Sequence, residues 1–101
     1  MATKEIKVEL LNEKQETVVY KTNFVSGRKV REALEVSEAA ESDEYTEVEK
    51  FDKMLDFVAS VFPKLTGDMI LDGTASWDVL PLLQDVLGQV IGADPKQAAN
   101  V

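Results

Sequence analysis

Paired carboxylates are the only catalytic material in this 101-residue chain, which has no His and no Cys. Asp68 and Asp72, four residues apart, would project to the same side of a helix. Glycosidase-type chemistry would need such a pair held across a cleft, with one carboxyl made harder to ionise by burial. Nothing in the flanking sequence supplies that cleft, and charges on an exposed helix face are the commoner reading. The absent thiols and imidazoles remove nucleophilic cysteine, disulfides, zinc sites and the side chain that most often moves protons near neutral pH. The acidic run Glu38, Glu41, Asp43, Glu44 and Glu47 lacks the Asp-x-Asp-x-Asp-Gly spacing that converges oxygens on calcium. Ser26-Gly27-Arg28-Lys29 resembles a phosphate-binding turn only superficially, because such a loop needs several glycines and a Lys followed by Ser or Thr. No catalytic residue, metal ligand or cofactor-binding residue is therefore expected, and the chain reads as a protein that binds other proteins.

Charge narrows the partners. Eleven Lys and Arg stand against 19 Asp and Glu, a formal net charge of -8. Nucleic-acid binders gain affinity by neutralising phosphates, so DNA, RNA and anionic membrane surfaces are poor partners for this balance. A neutral or basic protein suits it better. The first ten residues, MATKEIKVEL, alternate charged and apolar residues, which suits neither a signal peptide nor a membrane span and leads to an expectation of a cytosolic protein.

The elements that would position any binding residues follow from periodicity. Ile6, Val8 and Leu10 alternate with charged residues over 4–11, the pattern of a strand with one buried face. A second strand is expected over 16–24, with Val18, Tyr20 and Phe24 at even spacing, and the short polar link at 12–15 makes the pair an antiparallel hairpin despite lacking Asn-Gly or Asp-Gly. Ser26 is placed to cap a first helix that fades near Ala40, followed by an acidic linker or frayed helix end. Thr46 and Glu49 fit a capping box, starting a second helix with Val48, Phe51, Leu55, Val58 and Phe62 as its apolar stripe; Pro63 stops it. A short third helix runs from an N-cap at Thr66 to Gly73, with Leu65 and Ile70 as a hydrophobic staple. A fourth runs from about Val79, after Ser76 or Asp78 as cap, to Gly92, with Pro81 tolerated in its first turn. The expected fold class is α+β: an N-terminal antiparallel β-hairpin followed by a bundle of three to four helices. Residues 1–92 would form a single domain and 93–101 a disordered C-terminal tail.

Two features point to a binding surface. Phe57, Val61, Ile70, Leu82 and Ile91 are hard to bury together in so small a domain, and leftover apolar surface marks interfaces. Trp77, the only Trp, stands at the entrance to the last helix, either as a lid on the core, the commoner role, or as an anchor for a partner. The bases Arg28, Lys29 and Arg31 are oddly placed, since the helix dipole disfavours cations at that end. They would be explained by a contact with acidic groups, either in the 41–49 stretch or on another subunit.

The order of FVSGRKVREALE, EVEKFDKMLDFVASVF, LTGDMILDG and SWDVLPLLQDVLGQVIG resembles the tail assembly chaperones of long-tailed bacteriophages of Gram-positive hosts, over Ile6 to Gly92. Leu65-Thr66 departs from the aromatic-Thr expected there. The resemblance implies a non-enzymatic protein of the host cytoplasm, absent from the mature virion, that binds the tape measure protein and keeps it soluble during tail morphogenesis. It also implies the tail-tube protein as a partner, recruited through a frameshift-extended form of the chain. Phe57, Val61, Trp77, Leu83 and Leu87 are the expected contact residues. The rival expectation is a structural or regulatory homo-oligomer, of phage or bacterial origin, with no client.

Overall fold

The computed structural model describes residues 5–92. Two strands, β1 (Ile6–Leu11) and β2 (Thr17–Thr22), are followed by four helices, α1 (Gly27–Glu41), α2 (Glu47–Val61), α3 (Gly67–Gly73) and α4 (Val79–Ile91). The class is α+β, with the hairpin preceding the helices as the sequence predicts. The expected disordered tail at 93–101 lies outside the described residues, as does Lys4 at the expected start of the first strand.

The strands pair antiparallel with Ile6 opposite Thr22, Val8 opposite Tyr20 and Leu10 opposite Val18. This register puts Ile6, Val8 and Leu10 on the buried face, with Val18, Tyr20 and Thr22 partly covered beside them. The turn closes without a glycine. Asn12 Oδ1 accepts from the backbone N–H of Lys14 at 2.9 Å and of Glu16 at 3.0 Å, while Gln15 N–H donates to Asn12 O at 2.9 Å. Gln15 takes the left-handed conformation at φ 65°. This is the three-residue loop in which a tight turn ends in a left-handed residue, with the Asn12 side chain holding the turn together.

Phe24 does not belong to the second strand. The strand ends at Thr22, whose hydroxyl donates to Phe24 O at 3.0 Å, and the Phe24 side chain is 78% exposed. Even spacing counted it inward, but the chain leaves the ladder one residue before the pattern would place it.

α2 is the central helix. Thr46 Oγ1 accepts from Glu49 N–H at 3.1 Å and Glu49 Oε1 accepts from Thr46 N–H at 2.8 Å, the reciprocal box read from sequence. Hydrogen bonding from the Thr46 backbone, then from its side chain, holds the Glu49 carboxyl below the usual glutamate range. Met54, Leu55, Phe57, Val58, Ala59 and Val61 are buried, and α2 touches α1, α3 and α4. Val48, expected in the apolar stripe, is instead 68% exposed, because the first turn of α2 projects past the core. α1 contrasts with it. Ser26 occupies the N-cap position without a side-chain hydrogen bond, and Ala33 is the only buried residue of the helix.

α3 packs on both α2 and β1. Thr66 Oγ1 accepts from Met69 N–H at 3.2 Å, and Leu65 and Ile70 join the same buried cluster. Gly73 ends α3 for a reason the sequence does not display: a Cβ there would lie 2.5 Å from Leu11 O and 3.2 Å from Leu11 N, so the helix end abuts the backbone of β1. α4 packs on α1, α2 and β1 through Leu83, Val86 and Val90. Asp78 is its N-cap residue but makes no side-chain cap bond. Gly92 closes α4 at φ 92°, a left-handed cap whose N–H reaches the carbonyls of Gly88 and Gln89.

Candidate partner-binding surface

The packed fold divides the five expected contact residues. Phe57, Val61 and Leu83 are enclosed in the core, Leu87 is partly buried against it, and Trp77 is 78% exposed. Ile70 is fully buried, and Leu82 and Ile91 are partly covered, so the surplus inferred for α2 and α4 is largely absorbed. The reason is the number of neighbours: α1, α3 and α4 pack on α2, and α1, α2 and β1 pack on α4. Trp77 is not the lid that aromatic residues at helix starts usually make. It stands out in solvent one turn before Leu80, which is also exposed.

The exposed apolar side chains lie elsewhere than expected. Phe24, Leu34, Val48 and Leu80 are open to solvent along with Trp77. Sequence reasoning had assigned Phe24 to a strand and Val48 to a buried stripe. The signal that could have found Phe24 is its position directly before the Val25-Ser26 helix entry, where the strand has already ended.

The bases of α1 make local contacts. Lys29 Nζ lies 3.3 Å from Glu32 Oε1 and donates to Ser60 Oγ of α2 at 3.0 Å. Arg31 Nε lies 3.6 Å from Glu35 Oε1, an exposed pair one turn along the same helix. Arg28 has no ion-pair partner among the described residues, and none of the three bases pairs with an acid of the 41–49 stretch. The intrachain explanation for their placement is therefore set aside. Lys53 instead lies over the Tyr45 ring at 4.6 Å.

At the closed end of the hairpin, an open groove of about 720 Å³ runs between the turn and α3. Tyr20 and Met69 contribute apolar surface to it, and Glu13, Glu16, Asp68 and Asp72 contribute carboxylates. Asp68 and Asp72 are both exposed on α3, a placement that gives neither the burial needed to act as a general acid. No group of three or more His, Cys, Asp or Glu among the described residues is arranged to hold a metal ion. No helix among the described residues is long and apolar enough to cross a membrane.

A family model described as phage tail chaperone protein matches residues 1–100. No curated protein and no solved structure matches the chain.

Proposed function

The chain belongs to the phage tail chaperone family, and from that premise we propose that it binds the tape measure protein and keeps it soluble while the tail is assembled, without catalysing a reaction. Membership carries with it protein partners in tail assembly; the tape measure protein as client is our reading. The observation that supports it is Trp77, a large aromatic left 78% exposed beside exposed Leu80 on an acidic molecule. An aromatic anchor of this kind inserts into the apolar stripe of an amphipathic client helix, and the surrounding negative charge keeps the complex in solution. Leu87, partly buried, and Phe57, Val61 and Leu83, enclosed in the core, hold α2 and α4 in place rather than meeting the client.

In this reading the protein works in the host cytoplasm and leaves before the virion is complete, and a frameshift-extended form brings in the tail-tube protein. Co-expression with the tape measure protein tests the central claim. Soluble client should rise several-fold, and Trp77→Ala, which removes no buried contact, should cancel most of the rise. Equal client solubility with and without the chain would sink the proposal. A stable oligomer that ignores the client would favour the rival, a structural or regulatory homo-oligomer.

A further inference from the structure

An open cleft of about 420 Å³ runs between α1 and α2, and no residue of the hairpin, α3 or α4 lines it. Each end carries a tie. Near the start of α1, Lys29 Nζ donates to Ser60 Oγ near the end of α2 at 3.0 Å. Toward the other end, Lys53 Nζ of α2 lies over the ring of Tyr45, in the linker before that helix, at 4.6 Å. Between the ties the floor is apolar, with Val36 and Ala39 partly buried beside enclosed Phe57. The stretch of α1 from Lys29 to Ala39 is roughly 15 Å long, about three helical turns.

The rims are acidic on both sides. Glu32 and Glu35 line the cleft from α1 and Asp56 from α2, against the single base Lys53, which is engaged with Tyr45. Glu32 is held by Lys29 at 3.3 Å. Asp56 is exposed and has no ion-pair partner among the described residues. Glu35 has only Arg31 at 3.6 Å, an exposed pair that another cation can replace at little cost. One carboxylate is therefore open to a partner on each side of an apolar floor. We propose that this cleft docks an amphipathic helix of a partner protein, about three turns long, with an apolar stripe between two flanks of Lys or Arg. The stripe lies on Val36 and Ala39, and the flanking cations meet Glu35 on one side and Asp56 on the other. Trp77 is not part of the cleft, so a helix held here is independent of the client contact proposed above.

Fluorescence anisotropy tests the proposal with a labelled, Ala-rich helical peptide of about fifteen residues, bearing a Leu stripe flanked on both sides by Lys. Titrated with the full chain at about 0.15 M salt, where distant exposed charges are screened, it should show saturable one-to-one binding. Glu35→Lys/Asp56→Lys should weaken that binding about tenfold. Glu13→Lys/Asp72→Lys, the same change in net charge at the hairpin–α3 end, should leave it within about twofold. All four acids are exposed, and an unchanged thermal melt separates lost docking from lost folding. The decisive arm exchanges the charges: a peptide with Glu flanks should bind the Glu35→Lys/Asp56→Lys chain and not the parent. Replacing the Leu stripe by Ser should abolish binding in either pairing. No saturable binding would overturn the proposal, and so would equal losses in the two double variants, which would reduce it to attraction by net charge. Binding cancelled by Trp77→Ala would also overturn it, by placing the helix on the client contact instead.

Discussion

α1 and α2 are each fifteen residues long, and they are held in opposite ways. α2 carries a complete capping box, two acids in its first turn and six buried side chains. α1 has no side-chain cap bond, no acid in its first turn, bases in their place, and only Ala33 buried. The first is specified by its own sequence and by the core together. The second is positioned by its neighbours while its sequence departs from what an isolated helix would favour, and such departures gather where a surface has another task.

The largest test of this contrast is truncation. Phe57→Ala on α2 should cost about 3–5 kcal/mol, since a fully enclosed aromatic leaves a cavity. Val36→Ala on α1, removing a side chain only partly buried, should cost less than about 1.5 kcal/mol. Paired denaturant titrations give both numbers, and equal losses would erase the distinction between the helices.

Capping gives a smaller separation. Thr46→Ala should cost about 1 kcal/mol, whereas Ser26→Ala, which removes no cap bond, should stay within about 0.5 kcal/mol of the parent. The same box predicts a dependence on pH. Because Glu49 ionises more readily in the folded chain than in the unfolded one, its contribution is fully present above the usual glutamate range. It fades as pH falls through the lowered folded value, where both states become protonated. Acid titration of stability should therefore be shallower in Glu49→Gln, and an unchanged slope would refute the assignment.

The smallest effect has the opposite sign. Arg28→Glu should raise the melting free energy by about 0.3–1 kcal/mol at low salt by reversing the charge at the positive end of α1. A loss of stability would mean that Arg28 serves its own helix after all.

Local rules carried most of the fold. Alternation over Ile6, Val8 and Leu10 located the inward face of the hairpin, and Thr46 with Glu49 marked the start of α2, because strand pleat and cap geometry are written in adjacent residues. Three features were hidden from these rules. Asn12 closes the turn through its side chain, so the usual glycine signature is absent. Phe24 keeps the strand's period after the ladder has ended. The enclosure of Phe57 and Val61 depends on three elements arriving from elsewhere in the chain, and helical periodicity reports only that a face is apolar. For the surface, the sequence exposed the anomaly of the α1 bases and the ambiguity of Trp77. It could not give the exposure that decides between lid and anchor.

The junction at Gly73 has a consequence for how such a chain can diverge. Where α3 meets β1, main chain lies against main chain, with room for a hydrogen and none for a methyl group. That attachment is made by the N and O of Leu11 with only the Leu10 Cβ beside them, so it depends little on side-chain identity. Met69, Leu71 and Leu11, all exposed around it, are free to be rewritten to suit a different partner while helix and strand keep their spacing. Variation in specificity and permanence of architecture are thus separated at a single residue.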